Sequence, residues 1–152
     1  MINKEPTDLS ELVKGIVEEE QMRTDALITM HVPPLTINGN QALLESIFRN
    51  LIDNAIAYSG CTEITIRADE EGNFTVSDNG CGVADEHLPH IFERFYRIDK
   101  GRSRAAGGTG LGLAIVRNAV SIHGGTITAR NDNGLTFRFR LCVDLPPTPH
   151  NA

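Results

Sequence analysis

Gln41-Ala-Leu-Leu-Glu-Ser-Ile-Phe-Arg-Asn-Leu-Ile-Asp-Asn-Ala-Ile-Ala-Tyr58 is the stretch around which the rest of the sequence organises itself. Leu43, Leu44, Ile47, Leu51, Ile52, Ala55 and Ile56 recur at i, i+3, i+4 and i+7, the spacing of an amphipathic helix with one side in a core. A turn at Asn38-Gly-Asn40 offers Asn40 as the N-cap, and Gly60 ends the helix. Asn50 and Asn54 are four residues apart, so they project from one side, about one turn apart and off the apolar stripe. Asparagine competes for backbone hydrogen bonds in mid-helix. Two at this spacing are therefore either solvated surface amides or oxygen donors for a hard cation such as Mg²⁺.

Upstream, Asp8 and Glu11 have capping-box spacing, and Leu9, Leu12, Val13, Ile16 and Val17 predict a first amphipathic helix. Ala26 to Val32 reads as a strand closed by Pro33 and Pro34. Downstream, Glu63 to Ala68 and Phe74 to Ser77 flank a turn-forming Asp69-Glu-Glu-Gly-Asn73 and predict a β-hairpin. From Asp78 to Thr109 the chain is rich in glycine and charge, with one short helical stretch near Asp85 to Glu93. An irregular insert of that length in a compact domain is usually functional. Helix returns from Leu111 to Ile122 and stops at His123-Gly-Gly125. Strands over Thr126 to Arg130 and Leu135 to Val143 finish the fold, the second alternating Leu135, Phe137, Phe139, Leu141 and Val143 on one face. The expected organisation is one domain over residues 1–145 and a flexible tail over 146–152.

A chain of 152 residues with 40% hydrophobic and 22% charged residues is long enough for one well-buried core. Its net charge of −6 argues against a broad nucleic-acid or anionic-membrane surface, so any polyanion site must be local. Arg94, Arg97, Lys100, Arg102 and Arg104 gather five of the 14 basic residues in one window. Cys61, Cys81 and Cys142 are odd in number and lack metal-ligand spacing, which reads as reduced thiols in a cytoplasmic protein. No apolar run approaches the ~20 residues that cross a bilayer.

Two further segments bear on chemistry. In Asp78-Asn-Gly-Cys-Gly82, an ionised carboxylate accepts hydrogen bonds, as the amine of an adenine requires, and Gly80 and Gly82 let backbone approach a flat base. The alternative is an ordinary glycine turn after a strand. In Gly107-Gly-Thr-Gly-Leu-Gly112, glycines ahead of a helix expose backbone N–H groups and a positive dipole end that suit phosphate; the alternative is a flexible loop. No Lys-Ser/Thr follows and no strand immediately precedes, which excludes a P-loop and a dinucleotide fingerprint.

Taken in order, Asn50/Asn54, Asp78-Asn-Gly-Cys-Gly82, Ile91-Phe-Glu-Arg-Phe-Tyr-Arg97 and Gly107-Gly-Thr-Gly-Leu-Gly-Leu-Ala-Ile-Val116 resemble the N, first glycine, F and second glycine boxes of sensor histidine kinases. The resemblance runs from near Asp8 to Leu145. It implies a two-layer α/β sandwich, with a mixed, mostly antiparallel sheet, helices on one face and a lid over ATP. It also implies that Asn54 holds Mg²⁺, that Asn50 lies beside the phosphates and that Asp78 fixes the adenine amine. Gly80 and Gly82 would shape the pocket, and Tyr58 would pack near the base. Phe92 and Phe95 would anchor the lid by apolar burial. Thr109, Gly110, Leu111 and Gly112 would present donors to the phosphates, and Arg97 would neutralise transferring charge. Two departures stand out: Ala57 occupies a position where the family commonly has lysine, and Gly134-Leu-Thr-Phe137 lacks the usual paired glycine, which weakens a nucleotide role for Thr136.

The implied activity is transfer of the γ-phosphoryl group of Mg-ATP to a histidine on a separate dimerisation domain, upstream of a response regulator. His31, His87, His90, His123 and His150 fall in strand, lid, helix-end or tail contexts, so the chain itself is expected to lack the phosphoacceptor. The expected setting is cytoplasmic, either free or as part of a membrane-bound sensor, with no contact of this chain to nucleic acid or membrane. The rival readings are a non-catalytic nucleotide-binding module, which Ala57 supports, and an ATPase akin to gyrase and heat-shock chaperones. The latter needs a carboxylate base where this chain has Asn50, and an amide accepts no proton near neutral pH.

Overall fold

The computed structural model describes residues 2–58, 60–96 and 112–143, with the side chain of Tyr58 excluded. Their elements are β1 (Glu5–Asp8), α1 (Leu9–Gln21), β2 (Leu27–His31), β3 (Thr36–Gly39), α2 (Gln41–Tyr58), β4 (Glu63–Ala68), β5 (Asn73–Asp78), α3 (Gly112–Ile122), β6 (Ile127–Asn131) and β7 (Leu135–Arg140).

Five strands form one sheet in the order β2-β4-β5-β7-β6. β2 and β4 are parallel, which requires the crossover that α2 supplies, and the other pairs are antiparallel. This is the expected mixed, mostly antiparallel sheet with its helices packed on one face. The two antiparallel strands β1 and β3 form a small second sheet. Asn38 and Gly39, read from sequence as a turn, are the end of β3. The stretch near Asp85 to Glu93 contains only a 3₁₀ turn at Leu88–His90, where Pro89 allows a helical start but adds no backbone donor.

Alternation explains the core. Ile64 and Ile66 of β4, Phe74 and Val76 of β5, and Leu135, Phe137 and Phe139 of β7 are buried against Leu44, Ile47, Phe48, Leu51 and Ile52 of α2 and Val116, Ala119 and Val120 of α3. Phe48 sits 5.5 Å from Phe74 and 5.8 Å from Phe139, which stack on each other at 5.4 Å. Burying side chains of this size stabilises by roughly 1.5–3 kcal/mol each. Asp8 caps α1 by accepting from the Glu11 N–H at 3.1 Å, and Asn40 caps α2 by accepting from the Leu43 N–H at 3.0 Å.

α1 and α2 are laced together by ion pairs: Arg49 to Glu19 at 2.7 Å, and Arg23 to Glu20 at 2.9 Å and to Asp53 at 3.2 Å. Glu20 is only 1% exposed, and its Oε2 has no hydrogen-bond partner among the described residues.

Candidate functional site

α2 and α3 lie against each other with the start of α3 facing the middle of α2. Asn50 donates from Nδ2 to the Ser46 carbonyl at 2.8 Å and to Ser46 Oγ at 3.0 Å. Both amide hydrogens are thereby engaged, and the remaining group, the acceptor Oδ1, points at Gly112. A Cβ on Gly112 would stand 3.1 Å from that oxygen. The amide of α2 and the glycine that opens α3 therefore face one another across a space that a larger residue would narrow. Asn54 follows one turn later on the same side of α2 and is half-buried.

Asp78 ends β5 and is 8% exposed. Its Oδ1 accepts from the Gly80 N–H at 2.8 Å and from the Leu135 N–H at 3.3 Å. Two backbone donors orient the carboxylate. Gly134, at φ +133°, permits this approach, because a Cβ there would lie 2.0 Å from the Asp78 carbonyl oxygen and 2.9 Å from Oδ1. Gly82 adopts φ +71°, and a Cβ there would meet Asn131 Oδ1 at 2.6 Å. Glycine is thus required at 82 both by conformation and by space.

Two residues that hold this loop were not singled out from sequence. Asn79 Oδ1 accepts from the Thr62 and Glu63 N–H groups at 2.9 and 3.0 Å, tying the glycine segment to the start of β4. Asn131, at the end of β6, accepts from the Val83 N–H at 2.9 Å, donates to the Val83 carbonyl and reaches Asp85 Oδ1 at 3.2 Å. The Val83 contact spans 48 residues of sequence, so no local pattern announces it.

Phe92 is 8% exposed and packs edge-on against Phe137 at 5.9 Å, so it anchors its segment as expected. Phe95 does not. It adopts φ +66°, is 63% exposed, and carries the Arg94 guanidinium 5.4 Å from its ring centroid. The left-handed backbone turns the ring outward, and a cation rather than the core covers it. Tyr96 instead supplies a clamp, with its hydroxyl 2.6 Å from His87 Nδ1 and its ring stacked on His90 at 5.3 Å. Arg97, Thr109, Gly110 and Leu111 lie outside the described residues, as does the Tyr58 side chain. Thr136 lies on the sheet face opposite the helices, paired with Ser77 and Arg130 and away from Asn50 and Asn54. No group of three or more metal-ligating His, Cys, Asp or Glu occurs among the described residues.

His123 closes the far end of the two helices. Burial holds its imidazole below the usual histidine range. Its Nδ1 donates to the Ala119 carbonyl at 2.7 Å, and its Nε2 accepts the Asn40 N–H at 3.0 Å.

Residues 39–146 match the family model of histidine kinase-, DNA gyrase B- and HSP90-like ATPases. The sensor-like histidine kinase SenX3 of Mycolicibacterium smegmatis is 36% identical over 152 residues, an alignment covering 95% of this chain and 40% of the relative. The chain thus spans well under half the length of that curated relative. Among solved structures, the mycobacterial sensor histidine kinase MprB superposes with a TM-score of 0.78 at 27% identity, covering 91% of this chain and 96% of the other. The ATP-binding domain of PrrB from Mycobacterium tuberculosis superposes with a TM-score of 0.77 at 25% identity, covering 94% and 99%. With the fold, the ordered boxes and the family match in agreement, the chain belongs to the histidine kinase-, DNA gyrase B- and HSP90-like ATPase family, in the branch of the sensor histidine kinases.

Proposed function

We propose that this chain binds Mg-ATP and passes the γ-phosphoryl group to a histidine on a separate dimerisation domain, in two-component signalling that ends on a response regulator. The observation that carries the reading is the approach of Asn50 Oδ1 to Gly112, which places a hard oxygen acceptor opposite the N-terminus of α3. Negative charge is favoured at a helix N-terminus, and amide oxygen suits a hard cation. A magnesium ion held by Asn54, one turn along the same side of α2, would neutralise the charge of phosphates lying there.

In this reading Asn54 holds Mg²⁺, Asn50 lies beside the phosphates, and Gly112 with Thr109, Gly110 and Leu111 supplies donors to them. Asp78 accepts the adenine amine through a carboxylate already oriented by Gly80 and Leu135. Gly80 and Gly82 line the base, Tyr58 packs beside it, and Arg97 neutralises charge during transfer. The setting is cytoplasmic.

Ala57 is exposed on α2 and supports one second reading, a nucleotide-binding module that transfers nothing. Calorimetry with ATP, with and without Mg²⁺, followed by phosphotransfer to an added dimerisation domain, distinguishes the two. Magnesium-dependent binding with labelled histidine is the expected result. Binding without label supports the regulatory module, and no binding at all overturns both.

A further inference from the structure

The sheet face turned away from the helices carries a charge opposite to that of the chain. Strand register places His31, Arg67, Thr75, Arg138 and Thr128 side by side across all five strands. The next row is Thr29, Thr65, Ser77, Thr136 and Arg130. Arg140 stands two residues beyond Arg138 and so on the same face. His31, Arg67, Arg130, Arg138 and Arg140 are all exposed. Against these four arginines the described strands of the face set one acidic residue, Glu63, with Asp69 and Asp132 at its margins beside Asn73 and Arg130, although the whole chain has net charge −6. Arg130 approaches Asp132 at 4.0 Å, whereas Arg67, Arg138 and Arg140 make no ion pair among the described residues.

We infer that this face docks a protein partner presenting carboxylates, an extended acidic segment laid along β7 with further contact to β4. Arg138 and Arg140 are separated by about 6.8 Å along the strand, the repeat at which an extended acidic segment presents alternate side chains to one side. Arg67 lies two strand spacings, roughly 9.6 Å, from Arg138. Guanidinium groups take carboxylates bidentately, and the intervening Thr75, Ser77 and Thr136 hydroxyls donate to the oxygens left over. Nucleic acid fits less well, because no Phe, Tyr or Trp among the described residues stands on this face to stack a base and the remainder of the chain is acidic. A bilayer would need apolar anchors, and among the described residues the face offers only Leu27 at its edge.

The test is fluorescence anisotropy of a labelled oligo-glutamate peptide titrated with the chain at low and physiological salt, with duplex DNA and phosphatidylserine vesicles as competitors. Binding should weaken by at least about five-fold in an Arg67→Ser/Arg138→Ser variant. It should persist in Lys14→Ser/Arg117→Ser, whose cations lie on α1 and α3, and ATP affinity should be equal in all three proteins. Four outcomes overturn the inference: no binding, equal loss in both variants, preference for DNA or vesicles, or self-association that disappears with the arginines.

Discussion

His123 joins the N-terminus of α2 to the C-terminus of α3: its Nε2 accepts the Asn40 N–H at 3.0 Å while its Nδ1 donates to Ala119 in the last turns of α3. Only the neutral imidazole can do both, because a protonated ring has no acceptor left for Asn40. Lys4 reinforces the same corner by donating to the Ile122 carbonyl at 2.7 Å. The two helices that face each other at Asn50 and Gly112 are thus pinned together at their far ends.

This pin makes stability pH-dependent. The folded state disfavours the proton on His123, so the unfolded chain binds more protons as pH falls below the ordinary histidine value of 6.5, and folding weakens. Urea midpoints should therefore decline on acidification by more in the native chain than in His123→Gln. His123→Ala should cost about 1–3 kcal/mol at neutral pH, because it strands the Asn40 N–H. A midpoint difference between native and His123→Gln that does not vary with pH would remove histidine as the cause.

The Asn50–Gly112 approach predicts an effect on ligand rather than on fold. Alanine is favourable in a helix, so Gly112→Ala should leave the melting temperature unchanged or higher. The added Cβ would sit 3.1 Å from Asn50 Oδ1 and crowd the space proposed for the phosphates. ATP affinity measured by calorimetry should fall on the order of ten-fold, about 1.4 kcal/mol. Unaltered affinity would place the phosphates elsewhere.

Asp78 should separate nucleotide affinity from stability in the opposite manner to Gly134. Asp78→Asn retains a side-chain oxygen for the Gly80 and Leu135 N–H groups, so the fold should survive with a modest loss, while ATP affinity drops at least about ten-fold. Gly134→Ala brings a Cβ to 2.0 Å from the Asp78 carbonyl oxygen and should destabilise the domain by several kcal/mol, on the order of a strained backbone plus an overpacked contact. Circular dichroism melts and nucleotide titrations on both variants check the pair.

Long-period features were legible in the sequence. The 18-residue α2 was bounded correctly because seven apolar positions share one phase and a capping asparagine precedes them. The β4–β5 hairpin emerged from a turn-rich centre between apolar runs, although its apolar alternation also placed the carboxylate of Asp78 inward, where packing and not pattern decides its burial. β1 and β3 escaped notice because four residues each carry no period, and their strand character comes from pairing with one another. Phe48 was not named with the stripe, although it stands four residues from both Leu44 and Ile52 on the same face, and there it fills the contact with Phe74 and Phe139. Phe95 failed for a backbone reason, its positive φ, and Asn131 for a topological one, since β6 meets the glycine loop only in the folded chain.

Glu20 provides an electrostatic prediction at the α1–α2 seam. Burial, with the neighbouring carboxylate of Asp53 added, raises its carboxyl from 4.5 to about 7 against the opposing pull of Arg23. The folded state therefore holds a proton there that the unfolded chain releases above the ordinary carboxyl range. That contribution to stability is complete below pH 4.5 and is lost as pH rises through about 7. Glu20→Gln keeps the shape and the Arg23 contact in neutral form, so it should be close to the native chain at pH 5 and more stable than it at pH 8, by about 1–3 kcal/mol. Arg23→Ala should act in the other direction at pH 8, because it leaves Glu20 charged beside Asp53 with a weaker counter-ion. Thermal melts of the three proteins at both pH values measure the difference. A glutamine variant less stable than the native chain at pH 8 would mean that the ion pairs with Arg23 and Arg49 outweigh the desolvation of the carboxylate.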